Sequence, residues 1–535
     1  MARWSMPGLS PRRAELAKRG LAVLACALLT ACATNALDTA PADPSQPWTP
    51  TAQSATPADA SPAQPAAAAG AETTPQARTE TAPVRDFSVP SEPVVGVLKP
   101  TPDISRDKPY GLADLIDIAQ NQNPATRIAW QQARQAALAS GMVEATYLPL
   151  ITANVIGGYQ KYENPLPLAI GSVNQITSTT QGISPQVALQ WLVFDFGQRG
   201  SVHEVAKHNA TAANVLFNGL HQKIIYDVTR AYFIYGAARS RVGIAAQNLT
   251  NSGDILDAAE ARMKNGLGNT VEVAQARQQV AQARFGLVQA QGAERDTYQG
   301  LLGAMGVSPV TELKVKPANG RALPASIGAP TEKMVEAALS RRPDVLASFS
   351  AMKASQAGIG AAQAEFLPKV YLGAIAAGGN SSLSASGLPN IGQMSSASGV
   401  MVGATMPLYD GGLRAAQLKN AESLAAATEA TFQKVRDEAA REIVVAAHTL
   451  RSALASYTAA TALAQAAAVT YDAALSAYRA GVGNISVATA ADSGLLTARL
   501  AQSDAHAAAL VSAANLAFVL GAMTSRDVPA SLIAR

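Results

Sequence analysis

Lys264-Asn265-Gly266-Leu267-Gly268-Asn269 is a short glycine turn that occurs a second time as Arg479-Ala480-Gly481-Val482-Gly483-Asn484. Each copy lies between one helical pattern of more than about fifty residues and another of about thirty-five. Because glycine and asparagine tolerate positive φ angles, each copy predicts a chain reversal between two helices. At ~1.5 Å per residue the longer helices would reach roughly 100 Å, which is far longer than a compact domain requires.

The composition favours close helix packing and excludes several function classes. Of the 535 residues, 48% are hydrophobic but only 15% are charged and 5% aromatic. The net charge of +4 is small for this length, so it gives no indication of nucleic-acid binding. We find no nucleophile elbow, P-loop or paired-cysteine signature, and the histidines are scattered. We therefore expect no enzyme, no metal site and no cofactor.

The N-terminus has the pattern of an export signal. Basic residues precede an apolar run at residues 21–29, which is too short to span a bilayer. The run ends in Leu29-Thr30-Ala31-Cys32, which resembles a bacterial lipobox, so residues 1–31 are expected to be removed and Cys32 lipidated. The alternative is an ordinary signal peptide with a chance cysteine. Residues 32–109 are rich in Pro, Ala, Ser and Thr, and are predicted to form a disordered tether.

Beyond the tether, the chain repeats itself with a period of about 215 to 219 residues, which is much longer than a solenoid repeat. The landmark pairs are Asn123-Pro124 and Arg342-Pro343, Tyr147-Leu148-Pro149 and Phe366-Leu367-Pro368, Phe194-Asp195-Phe196-Gly197 and Tyr409-Asp410-Gly411-Gly412, the two glycine turns, and Leu302-Gly303-Ala304-Met305 and Leu520-Gly521-Ala522-Met523. We interpret this as an internal duplication: a first repeat at 110–306, a linker at 307–330, a second repeat at 331–523 and a tail at 524–535.

Each repeat is predicted to contain the same elements. A short helix (112–122; 331–341) ends before a proline that starts a second helix, which continues to about residue 145 or 365. Two segments of alternating apolar and polar residues follow, near 151–159 and 187–193 and again near 370–376 and 400–406. We expect polar loops to join them at 163–182 and 380–398. Asp195 and Asp410 then lie where the longest helices begin, and we expect them to cap those helices.

The alternating segments fit strands of a membrane barrel, although a half-buried strand of a soluble sheet would show the same pattern. Four strands cannot close a barrel in lipid, because no strand edge can stay unpaired there. The chain would therefore have to share strands with identical copies. Two chains would give eight strands and three would give twelve, which is wide enough for a water-filled lumen.

These features together resemble the TolC-like outer-membrane factors over residues 110–523. The resemblance implies an α+β membrane protein: a homotrimer with a twelve-stranded barrel in the outer membrane, continued by an α-helical coiled-coil tunnel across the periplasm. It further implies an exit channel for drug efflux or type I secretion, working with a periplasmic adaptor and an inner-membrane pump of the ABC, RND or MFS type. One alternative is a lipid-anchored coiled-coil structural or adhesion protein of the cell envelope. The adaptor itself fits less well, since adaptors have one hairpin and no duplicated strand pairs.

The resemblance also assigns residues at the periplasmic end. Thr489 and Asp492 correspond to two acidic pore positions, so three copies of Asp492 are expected to form a cation-selecting ring. In the family, an aromatic residue and an arginine near the second turn latch the tip to an acidic residue near the first. Ala480 and Ile485 take the places of the first two residues here, and Glu272 lies near the place of the acidic one. A latch must therefore be built differently, with Arg479 as a candidate. The residues expected to form the tip and meet the adaptor are Gly266, Gly268, Asn269, Glu272, Arg479, Gly481, Gly483 and Asn484.

Overall fold

A computed structural model describes residues 43, 93–98, 105, 107–170, 173–317, 323–385 and 391–523. The predicted signal peptide, Cys32, most of the tether and the tail at 524–535 lie outside these residues. The described elements are β1 (Pro109–Tyr110), α1 (Leu112–Gln122), α2 (Pro124–Ala145), β2 (Leu150–Ile170), β3 (Val173–Phe194), α3 (Gln198–Lys264), α4 (Thr270–Met305), β4 (Lys314–Val315), α5 (Glu332–Leu339), α6 (Pro343–Ala364), β5 (Lys369–Ala385), β6 (Ile391–Thr405), α7 (Leu413–Arg479) and α8 (Ile485–Val519). A short 3-10 helix, Pro93–Gly96, lies within the predicted tether.

The two short helical pairs begin and end at residues that the sequence marks. Helix α1 ends at Asn123, whose side-chain oxygen accepts a hydrogen bond from the Ala125 amide at 2.9 Å, and Pro124 starts α2. In the second repeat Arg342 takes this place. Its guanidinium pairs with Asp344 at 2.6 Å and Glu442 at 2.7 Å, so an ion-pair cluster replaces the amide cap.

The four long strands form one antiparallel sheet in the order β2-β3-β5-β6. These strands are longer than the alternating segments indicate, and the predicted polar loops at 163–182 and 380–398 are wrong for most of their length. The β2–β3 ladder continues out to the pairing of Ile170 with Val173, and the β5–β6 ladder to that of Leu383 with Ile391. Backbone pairing needs only extended conformations, so polar residues continue it even where their strand propensity is low, as at Asn164 and Pro165.

A second, parallel pair joins β1 to β4, with Pro109 opposite Lys314 and Tyr110 opposite Val315. Pro109 lies at the end of the predicted tether and β4 in the predicted linker, so both segments contribute to this pair. Tyr110 and Val315 are buried in the largest apolar core cluster, together with Leu115, Leu301 and Met305. Burial of these apolar side chains explains why the short strands form here.

Each glycine turn joins a 67-residue helix to a shorter one: α3 to the 36-residue α4, and α7 to the 35-residue α8. The two resulting hairpins pack together mainly along one seam, between α3 and α8. None of the helices in the described part of the chain is both long enough and apolar enough to cross a membrane.

Candidate functional site

The two glycine turns have the same backbone geometry. Gly266 and Gly481 have positive φ angles of 71° and 81°, as the αL residue at a helix C-terminus requires. The second glycines do not have positive φ, contrary to what the sequence suggested, and they are needed for space instead. A Cβ at Gly268 would lie 3.0 Å from the Met263 amide nitrogen, and one at Gly483 would lie 3.0 Å from the Tyr478 amide nitrogen.

The asparagines after the turns start the next helices rather than adopting positive φ. The Asn269 side chain accepts a hydrogen bond from the Glu272 amide at 2.9 Å, and the Asn484 side chain accepts one from the Val487 amide at 3.0 Å. Between the glycines, Leu267 and Val482 are 70% and 84% exposed. Each hairpin therefore presents a rigid turn with an apolar side chain at its end.

A compact cluster of Arg262, Tyr478 and Glu272 joins the two hairpins next to the turns. The completely buried Tyr478 donates its hydroxyl hydrogen bond to Glu272 Oε2 at 3.0 Å. The Arg262 guanidinium lies 4.9 Å from the centre of the Tyr478 ring and donates to the Tyr478 carbonyl oxygen at 3.0 Å. Burial and the Glu272 carboxylate raise the pKa of Tyr478 to about 12, so its hydroxyl stays a donor.

This cluster differs from the one that the sequence suggested. Arg479, the candidate latch residue, lies 3.9 Å from Asp254 in an exposed pair, which contributes little to stability. Ile485 is buried in the apolar cluster of the tip, and Ala480 follows the last residue of α7. The aromatic residue of the cluster, Tyr478, lies two positions before Ala480, and the arginine comes from the other hairpin. The sequence comparison missed Tyr478 because it used only the family positions Ala480 and Ile485, and it missed Arg262 because that residue lies on the first hairpin.

Asp492 does not face open space, so the expectation of a pore-lining ring is wrong for this conformation. Its side chain is completely buried in the seam between α3 and α8. Three α3 side chains donate hydrogen bonds to its carboxylate: Asn248 at 3.0 Å, Asn251 at 3.2 Å and Ser252 at 2.8 Å. A carboxylate surrounded in this way cannot select ions in a lumen.

The sequence contained a signal for this burial. Ile485, Ala488, Asp492 and Leu495 follow the i, i+3, i+7, i+10 spacing of one helix face, and all four are buried. Asp492 therefore lies within an apolar stripe. Thr489 lies beside that stripe, is half-buried, and donates its hydroxyl to the Ile485 carbonyl oxygen at 3.0 Å.

Asp195 and Asp410 organise the junctions between the sheet and the long helices. The Asp195 carboxylate accepts from the amide of the N-cap residue Gly197 at 3.3 Å and from the Arg199 amide, in the first turn of α3, at 3.0 Å. Asp410 does the same with Gly412 and Arg414 at 3.0 and 3.2 Å. The helices begin after glycines with φ of 89° and 88°, so each aspartate acts from two residues before the N-cap.

Each junction also contains an arginine stacked on an aromatic ring. Arg199 pairs with Asp195 at 2.8 Å and lies 4.7 Å from the Tyr147 ring centre. In the second repeat, Arg414 lies 5.2 Å from the centre of the Phe366 ring. The hydrogen bond from Arg414 lowers the pKa of Asp410. The same arrangement therefore connects strand to long helix in both halves of the chain.

Comparison with known proteins assigns the family. The model of the family described as "Outer membrane efflux protein" matches residues 115–307 and 334–522. Protein CyaE of Bordetella pertussis is 26% identical over 421 residues, covering 77% of this chain and 86% of CyaE. Outer membrane protein OprJ of Pseudomonas aeruginosa is 26% identical over 353 residues, covering 64% and 70%.

Solved structures share the fold. The open state of the Neisseria gonorrhoeae MtrE outer membrane channel aligns with a TM-score of 0.60 at 21% identity, covering 78% of this chain and 90% of MtrE. These findings confirm the predicted resemblance to TolC-like outer-membrane factors and the predicted role as an outer-membrane efflux or secretion channel, in preference to a structural or adhesion protein. The chain belongs to the outer membrane efflux protein family.

Proposed function

We propose that this chain is one protomer of a homotrimeric exit channel. Its sheet spans the outer membrane as one third of a twelve-stranded barrel, and its helical hairpins form a periplasmic tunnel. Substrate enters from an inner-membrane pump of the ABC, RND or MFS type through a periplasmic adaptor. Cys32 carries a lipid that anchors the N-terminus in the outer membrane.

The main support for this proposal is the sheet, because its register places apolar residues of all four strands on one face, whereas the other face mixes polar and apolar residues. One face shows Ile151, Leu189, Ala374 and Val400 as directly opposed residues of the four strands. The other face includes Asn154 opposite Gln186. An apolar face toward lipid and a polar face toward water is the pattern of a membrane barrel with an aqueous lumen.

The edges of the sheet explain why copies must join. Within the described residues, β2 pairs only with β3, and β6 only with β5. Each edge would leave backbone donors and acceptors without partners in lipid, at a cost of several kcal/mol per group. Pairing β6 of one copy with β2 of the next removes both edges, and cyclic closure of three copies gives twelve strands.

The outer helices also present surfaces suited to neighbouring copies. Phe285 and Val288 on α4 are 63% and 58% exposed, and Leu463 and Val469 on α7 are 53% and 70% exposed. Helices α4 and α7 are the outer members of the two hairpins, since α3 and α8 form the seam between them. We infer that α4 of one protomer packs against α7 of the next, which would complete the tunnel wall.

The helical tips form the gate and the adaptor surface of this channel. We infer that the conformation described here is the closed one, which the Arg262–Tyr478–Glu272 cluster holds by joining the second hairpin to the first. The solved MtrE channel, which shares this fold, is an open state, so we infer that this chain also has an open state, reached by separation of its two hairpins. The exposed turns, with Leu267 and Val482 at their ends, contact the adaptor.

Two measurements on the purified full chain test the proposal. Native mass spectrometry in detergent should give three copies, and insertion into planar bilayers should give discrete ion conductance. As a control, the same fraction purified from cells with a frameshifted gene should give no conductance. A monomer, or a trimer that never conducts, would contradict the proposal.

A further inference from the structure

The buried carboxylate of Asp492 is an unusual group at the seam between the hairpins. It receives side-chain hydrogen bonds from Asn248, Asn251 and Ser252 on α3, which together satisfy both of its oxygens. In the described part of the chain, no Lys, Arg or His lies within ion-pair distance of it. When a buried carboxylate is held only by neutral donors, the free energy of its buried state depends on where those donors lie.

The apolar surroundings of Asp492 make its stability strongly dependent on these three donors. The buried side chains around Asp492 near the turns are otherwise mainly apolar and include Ile255, Ala259, Ala488 and Leu495. Tyr471 on α7 is also among these side chains, and burial together with the nearby Asp492 charge raises the pKa of Tyr471 to about 12. If α8 moved along α3, the carboxylate would face apolar side chains in place of its donors, which is a costly arrangement.

We propose that Asp492 is a positioning residue for the gate. It holds α8 in one register on α3, so the channel stays closed until the carboxylate leaves its three donors. This inference rests on the proposed channel function, because it assumes that opening moves the second hairpin relative to the first. Asp492 acts through the seam and does not touch the permeating ions.

The position of Asp492 makes it a second connection beside the Arg262–Tyr478–Glu272 cluster. Ser252 and Arg262 are separated by ten positions on α3, which places them about 15 Å apart along the helix axis. Two polar contacts at this spacing resist both sliding and rotation of α8, whereas one contact would allow rotation around it. The closed state therefore depends on both contacts.

The test is single-channel recording of the Asp492→Asn variant in planar bilayers. Asparagine keeps the size of the side chain but removes the charge and one acceptor, so the closed state should weaken. We expect the fraction of time open to rise roughly tenfold, with ion selectivity unchanged, since that ratio corresponds to the loss of about one buried charged hydrogen bond. Ser252→Ala, which removes a donor from the opposite helix, should shift the open fraction in the same direction by a smaller factor.

Asp504→Asn is the matched control. Asp504 also lies on α8 and also reaches across to α3, where it pairs with Arg241 at 2.8 Å, but both side chains are more than 40% exposed. This variant should gate like the wild type. If Asp492→Asn does not assemble, Ser252→Ala decides the question.

Three results would overturn the inference. One is an open fraction of Asp492→Asn that equals the wild-type value. If Asp492→Asn does not assemble, an open fraction of Ser252→Ala equal to the wild-type value counts in the same way. Another is a change in cation selectivity without a change in gating, which would place Asp492 in the pore. The third is an equal effect of Asp504→Asn. A wild-type protein that does not conduct would instead contradict the proposed function, so the two failures are distinguishable.

Discussion

Tyr478 connects the hairpins with both its ring and its hydroxyl group, and the two contacts can be separated. Tyr478→Phe removes the hydrogen bond to Glu272 but keeps the ring against Arg262. Because Glu272 is partly exposed, we expect a loss of about 1 to 2 kcal/mol from the closed state. Conductance recordings should show longer or more frequent openings than the wild type.

Tyr457→Phe is the control for this prediction, because Tyr457 lies on α7 far from the tip, where its ring packs at a tilt against His506. Identical gating of Tyr478→Phe and the wild type would show that the hydroxyl does not hold the tip closed.

The Asp410 junction predicts a dependence of stability on pH. Because the Arg414 hydrogen bond lowers the pKa of Asp410 in the folded protein, the stabilisation is complete above the ordinary aspartate pKa near 4 and is lost as the pH falls further. Asp410→Asn should therefore unfold at a lower temperature than the wild type at pH 7, and the difference should shrink toward pH 3. A difference that is constant with pH would contradict this.

Single residues were the least predictable part of the site from sequence. The family position suggested a pore ring for Asp492, whereas the apolar spacing of its neighbours indicated burial, and the spacing was the better guide. The Arg262–Tyr478 contact joins residues 216 positions apart. No local pattern in either turn could indicate it, because it depends on how the hairpins pack.

Among the elements, the glycine turns are the natural surface for a partner. Leu267→Glu and Val482→Glu place charges on the two exposed apolar side chains without changing the turn geometry that Gly266 and Gly481 require. We expect adaptor binding to weaken at least about tenfold, since an unpaired carboxylate buried in an apolar contact is costly. Co-purification with the cognate adaptor and its dissociation constant are the measurements.

Val310→Glu is the control for the turn variants, because Val310 is 64% exposed but lies beyond the far end of α4. Unchanged adaptor binding by both turn variants would exclude the turns as the docking surface.

Helices were more predictable than strands for a physical reason. Proline, asparagine and glycine mark helix ends by local backbone chemistry, so α1 and α2 have the bounds that the sequence predicted. Strand ends depend on cross-strand pairing, which alternation near 151–159 does not reveal. The β1–β4 pair joins residues about 200 positions apart, and a two-residue strand carries no pattern at all.

For the whole molecule, the repeated order of elements and the long hairpins were evident from sequence, and the family match agrees with that outline. The need for further copies was inferred from what a four-stranded sheet lacks, and the number three from the family resemblance. In the described residues β2 and β6 are the two edges, which is where further copies would have to pair.

A cryo-electron microscopy reconstruction of the purified full chain in detergent or nanodiscs tests the central claim most directly. We predict three copies around one axis, with β6 of each copy hydrogen-bonded to β2 of the next and a water-filled lumen inside twelve strands. A single copy with its sheet covered by its own helices, or an assembly whose axis is filled with side chains throughout, would contradict it.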